Sequence, residues 1–108
     1  MTMTMTTGST EWKNDYGNNL DVERLREIFA PPDRFRVSEF KYPAATVTSG
    51  AMLPGKCFGF LGSVVFEFGE NAVRVDADKC VVLPGGSYHL RVDDASDARI
   101  VIVWEIPT

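Results

Sequence analysis

One histidine, two cysteines and no cluster of positive charge are what this sequence has least of, and each scarcity excludes something. A single imidazole, His89, cannot supply the several histidines that most catalytic metal centres use. Cys57 and Cys80 lie far apart in the chain, so they form no close ligand pair to anchor an ion. We therefore expect no metal and no cofactor, and two buried thiols acting as small hydrophobes. A net charge of −4 without any Lys/Arg-rich run removes the electrostatic footprint of a nucleic-acid partner. No window approaches the ~20 apolar residues that span a bilayer, so no membrane partner is expected. The opening "MTMTMTTGST" has neither positive charge nor a continuous apolar block, unlike a secretory signal. The expectation is a soluble, cytoplasmic protein with reduced cysteines.

What is present is bulk for one core. Apolar residues make up 44% of 108 positions, with seven Phe and two Trp, enough for a single domain and too few for two. Residues 1–19 are rich in Thr, Asn and Gly and read as a flexible arm. Trp12 and Tyr16 qualify that reading, since they could dock on the domain's own surface or on a partner subunit. Residues 20–108 read as the folded domain.

That domain opens with a helix over about residues 21–30. Asp21 suits the N-cap, Leu20 and Leu25 the staple around it, and Glu23 the positive helix end. Val22, Leu25, Ile28 and Phe29 form a stripe at helical spacing, and Pro31-Pro32 ends it. From Phe35 the period becomes two. "RFRVSEFKY", "CFGFLGSVVFEF", "AVRV", "CVVLP", "SYHLRV" and "RIVIVWEI" are β-type runs, separated by "TSG", "LPG", "GEN", "DAD", "PGG" and "DDASD". The run Ile100–Ile106 is apolar on both faces, as an interior strand should be. Roughly seven or eight short strands after one helix indicate an all-β sandwich or barrel.

The stretch "LPGGSYHLRV" then carries a resemblance. Pro84, Gly86 and His89 match the centre of Gly-x-x-x-x-x-Pro-x-Gly-x-x-His-x-x-x-Asn, the second motif of the cupins, with Asp78 and Asp93 replacing its first and last residues. Gly62 fits the Gly that closes the first cupin motif, but its two His positions fall near Thr48 and Gly50 and its Glu near Gly55. The chain thus resembles the cupin family over roughly residues 40–106. The resemblance implies a single-domain, RmlC-like jelly-roll β-barrel with one short N-terminal helix, a degenerate metal site and a homodimer.

It also implies that His89 points into the barrel with Arg91 beside it. The leading expectation is a metal-free barrel that binds a small organic ligand through His89, Arg91, Phe58, Phe60, Phe66 and Trp104. The Phe stripes are expected chiefly as core, with some lining the pocket, since core and ligand cavity share one space in a barrel. A rival is acid–base catalysis of the isomerase, epimerase or lyase type, with His89 as one proton-transfer group and Tyr42, Tyr88, Glu67 or Asp76 as the other. A third reading is a dimeric interaction or structural protein. "GKCFGFLG" opens no helix and is no phosphate cradle, and "DDASD" lacks the spacing of a calcium loop.

Overall fold

Side-chain alternation along the strands determines the architecture. The computed structural model describes residues 4–5, 10–30 and 33–106. Two short strands, β1 (Thr4–Met5) and β2 (Thr10–Glu11), precede two helices, α1 (Trp12–Tyr16) and α2 (Val22–Ile28). Eight strands follow: β3 (Phe35–Tyr42), β4 (Val47–Met52), β5 (Gly55–Leu61), β6 (Ser63–Phe68), β7 (Asn71–Asp76), β8 (Lys79–Leu83), β9 (Gly86–Val92) and β10 (Ala98–Glu105). They form two five-stranded sheets, ordered β1-β7-β6-β9-β4 and β2-β8-β5-β10-β3. All pairings are antiparallel except β1 with β7. The sheets face each other as a β-sandwich rolled into a barrel, with β3 and β4 each an edge strand among the described residues.

Between the sheets lies a first core of alternating positions: Val64, Phe66 and Phe68 on β6, Val73 and Val75 on β7, Leu90 and Val92 on β9, Ile100 and Ile102 on β10. β-branched and aromatic residues suit this pleated, buried surface. The intervening residues of β10, Val101 and Val103, are equally buried but belong to a second core on the outer side of that sheet. This is why β10 reads as apolar on both faces.

The second core is roofed by the N-terminal segment. Trp12, Leu20 and Leu25 pack on Phe58, Cys80, Val101 and Val103, with Tyr16 and Phe29 at the margin. The Tyr16 ring meets Phe58 edge-on at 5.4 Å, and Phe29 meets Phe35 edge-on at 5.7 Å. Burying each such ring removes enough apolar area to contribute roughly 1.5–3 kcal/mol. The Trp12 indole Nε1 donates to the Gly59 carbonyl at 2.9 Å, and the Asp78 amide donates to the same oxygen at 2.9 Å. Gly59 must be glycine here, because a Cβ would run into the Asp76 carbonyl.

The expected flexible arm therefore needs correction over its described part. Thr10 and Glu11 pair with β8 and α1 packs on the chain's own sheet, so Trp12 and Tyr16 dock within this chain. Most of the Met-Thr repeat lies outside the described residues. The α2 helix matches its expected start: the Asp21 side chain accepts from the Arg24 amide at 2.8 Å, and Leu20 and Leu25 are buried. The helix stops at Ile28, Ile28 itself is exposed, and Pro31-Pro32 lie outside the described residues.

Four elements were not anticipated: β1, β2, α1 and β4. β4 lacks apolar alternation because it is a solvent-exposed edge, with Val47 73% exposed. Gly62, at φ 65°, divides the expected run "CFGFLGSVVFEF" into β5 and β6. No helix among the described residues is long and apolar enough to cross a membrane.

Candidate functional site

β9 decides where chemistry can occur. It begins at Gly86, which like Gly85 before it has a positive φ (100° and 83°) that glycine adopts without a Cβ clash. Its neighbours are β4 and β6. Residues directly opposite one another share a face, so two sets emerge. Gly50, Tyr88 and the Phe66–Leu90 pair face the other sheet, whereas Ser49, His89 and Glu67 form one row on the outside. Leu90 and Val92 are buried, while His89 and Arg91 are exposed.

The expectation that His89 points into the barrel with Arg91 is thus corrected. A strand can present only one of two alternating sets inward. Burying Tyr88, Leu90 and Val92 is favoured over burying Ser87, His89 and Arg91. Arg91 is held on the outer surface by Glu67, its Nε donating to Oε1 at 2.7 Å. His89 and Glu67 do border a depression of about 620 Å³ with Ser49, Ser87 and Tyr88. There the Glu67 carboxylate is already engaged by Arg91, which leaves His89 without a free carboxylate opposite it.

The aromatic residues separate likewise. Phe58 and Phe60 do not face the space between the sheets. They lie on the other side of β5, under the N-terminal roof, with Phe60 against Trp12 at 5.5 Å. Their assignment to a barrel ligand site is corrected on that ground. Phe66 faces the interior and is fully buried, packed edge-on against Tyr88 at 5.3 Å. Trp104 is half-buried at the margin of the first core.

The deep interior is filled by Val64, Phe66, Val75, Leu83, Leu90 and Ile100. Open space remains at the seam between the edge strands β3 and β4. There Phe40, Met52, Leu53, Tyr88, Ile102 and Trp104 line a groove of about 450 Å³. Behind Phe40, Tyr42 stacks parallel to it at 6.2 Å, with the planes inclined by 4°. Burial, reinforced by Tyr88 and Cys57 nearby, pushes the Tyr42 phenol up to about 12, so it stays protonated and uncharged at neutral pH. Among the described residues, neither tyrosine hydroxyl and not the Trp104 indole N–H has a hydrogen-bond partner.

Tyr88 was weighed in the sequence only as a proton-transfer partner of His89, and its place at the groove was missed. The signal was available in "SYHLRV", whose apolar set is Tyr, Leu and Val.

The residues do not fit the metal centre implied by the cupin resemblance. The sequence resemblance puts the absent ligands near Thr48, Gly50 and Gly55, none of which has a metal-binding side chain. The Tyr88 ring lies across Gly50, its hydroxyl 2.9 Å from where a Cβ would stand. A histidine at Gly50 would have to displace that ring. Among the described residues no three His, Cys, Asp or Glu side chains come together to hold an ion.

The cysteines are free and buried. Phe58 pairs with Cys80 and Cys57 with Val81, which sends the two thiols to opposite faces of their sheet. Burial raises the Cys57 thiol far above its usual range, and raises Cys80 to about 11. Asp76, in the expected list of proton-transfer groups, is remote from the groove's lining and belongs to a surface network. The Ser63 hydroxyl and Arg74 donate to it and hold its carboxyl below the usual range against the opposing effect of burial.

No protein-family profile matches the chain. No curated protein matches it in sequence. Its structure, however, is similar to several solved ones. A cupin superfamily protein from Desulfitobacterium hafniense superposes with TM-score 0.57 at 14% identity, covering 72% of each chain. A cupin-2 domain containing protein from Shewanella frigidimarina gives 0.53 at 13% identity over 81% of this chain and 94% of the other. The polyketide cyclase RemF from Streptomyces resistomycificus gives 0.55 at 17% identity, over 69% of this chain and 58% of its own. Identities this low speak to fold alone. Two facing antiparallel sheets, strand order and these superpositions agree: the chain has the cupin fold.

Proposed function

We propose that this protein binds a small organic molecule in the groove at the β3–β4 seam, without a metal. The observation that carries the reading is a largely apolar groove of about 450 Å³ at the margin of the first core, walled by Phe40, Ile102 and Trp104 from one sheet and Met52 and Tyr88 from the other. Concave sites with apolar walls and a few polar groups are the usual form of a ligand pocket. The polar anchor of the reading becomes Tyr88 in place of the His89–Arg91 pair.

The acid–base alternative has less support, because its one histidine stands on the outer face. A homodimer remains part of the proposal on the cupin fold and on the exposed edges β3 and β4, which present unpaired backbone groups. Within one chain Trp12 is buried against its own sheet, so an arm exchanged between copies would have to make the same contacts on the partner.

Amide chemical-shift mapping with a set of small aromatic and aliphatic fragments tests the reading. Shifts are expected at Phe40, Met52, Leu53, Tyr88 and residues 102–104, and Met52→Trp should abolish them by filling the groove. Shifts confined to the outer row around His89 and Glu67, or none at the groove, would overturn it.

A further inference from the structure

We infer that the groove selects an uncharged, planar aromatic molecule carrying a carbonyl or ether oxygen. This rests on the binding reading above and adds a ligand class to it. No side chain that lines the groove is a carboxylate, an ammonium or a guanidinium. An anionic ligand would lose its hydration there with no opposite charge in return, and an ammonium would fare the same way.

The wall does contain flat, weakly polar partners. Phe40 and Trp104 come from one sheet and Tyr88 from the other, so a ring entering the seam meets aromatic surface on two sides. Offset and edge-on arrangements between rings add to the area they bury. Met52, unbranched and polarizable, can adapt to rings of differing outline.

The polar groups match one kind of partner. The Trp104 indole nitrogen can only donate, and the Tyr88 hydroxyl can donate. Neither has a protein hydrogen-bond partner among the described residues, and neither is a buried unsatisfied atom, so both are open to a ligand from the solvent side. Two donors without a positive charge call for a neutral acceptor, which a carbonyl or ether oxygen supplies. Gly50 contributes by absence: with no side chain it leaves room for the Tyr88 ring, which also lines the groove, to lie across β4.

Three probes of one size separate the components: naphthalene, 2-acetonaphthone and 2-naphthoate, titrated into the full chain with binding read from amide shifts at the groove. We expect 2-acetonaphthone to bind about 3- to 10-fold more tightly than naphthalene, the effect of one net hydrogen bond. It should bind at least about 10-fold more tightly than 2-naphthoate. Tyr88→Phe should reduce the first preference and leave naphthalene binding in place, whereas His89→Ala should change neither.

Binding at the groove with 2-naphthoate equal or tighter would overturn the ligand class while leaving the binding site standing. Absence of groove shifts with all three probes would overturn both. Concentration-dependent shifts at the same amides without any probe would assign the groove to a second copy of the chain and overturn the inference.

Discussion

The two sheets differ in what covers their outer faces. Outside the β2-β8-β5-β10-β3 sheet, Phe58, Val101 and Val103 are sealed beneath Trp12, Leu20, Leu25 and Phe29. Outside the β1-β7-β6-β9-β4 sheet, His89, Arg91 and Glu67 form a polar, exposed row. The first face uses a local roof to bury apolar residues that an ordinary two-layer sandwich would leave wet. The second follows simple alternation, apolar inside and polar outside. A chain this short thereby builds two cores on one sheet, and its site is confined to the seam where neither core closes.

The contrast predicts a graded series of effects. Phe58→Ala, under the roof, should destabilise by about 3–5 kcal/mol, and Leu25→Ala by about 2–5 kcal/mol, both read from denaturant midpoints. Loss below about 1 kcal/mol at both sites would mean that the roof is not part of the cooperative fold. Gly59→Ala should cost about 1–3 kcal/mol by pressing a methyl on the Asp76 carbonyl. On the bare face, Arg91→Ala should cost at most about 1 kcal/mol, as an exposed ion pair does. His89→Ala should stay within about 0.5 kcal/mol.

The thiols sharpen the same comparison across β5 and β8. Both are protonated and enclosed, so neither should react with a disulfide reagent until the chain unfolds. Folding raises Cys80 from 9.0 to about 11. The folded chain therefore holds this proton over a range where the unfolded chain releases it. Stability is fully present below pH 9.0 and declines as pH rises through about 11. Tyr42 acts in the same direction between 10.0 and about 12. Replacing Cys80 with Ala should flatten part of that alkaline decline in denaturation curves measured across this range.

Much of the fold was legible before any coordinates. The double-faced apolar run of β10, the Asp21 cap and the Phe66–Phe68 face each reflect a local physical preference that tertiary packing reinforces. The roof was not legible, because Trp12 and Tyr16 sit in a polar segment with no periodicity, and their partners are distant in sequence. β4 was missed for the opposite reason, since an exposed edge needs no apolar pattern. The site was misread at two places, the Phe58–Phe60 face and the register of β9. The motif match put His89 inward, yet Tyr88, Leu90 and Val92 were already the apolar set, and a shift of one residue reverses every side chain of a strand. Where a resemblance and the alternation disagree, the buried face follows the alternation.

The account depends most directly on which side of β9 faces the core. Nuclear Overhauser contacts from the Tyr88 and His89 rings in the full chain measure it. The structure predicts strong contacts from the Tyr88 ring to Phe66 and Phe68, whose centroids lie 5.3 and 5.9 Å away, and none from the His89 ring to either. Contacts from His89 to Phe66, with Tyr88 facing solvent, would contradict the placement of the groove and everything proposed for it.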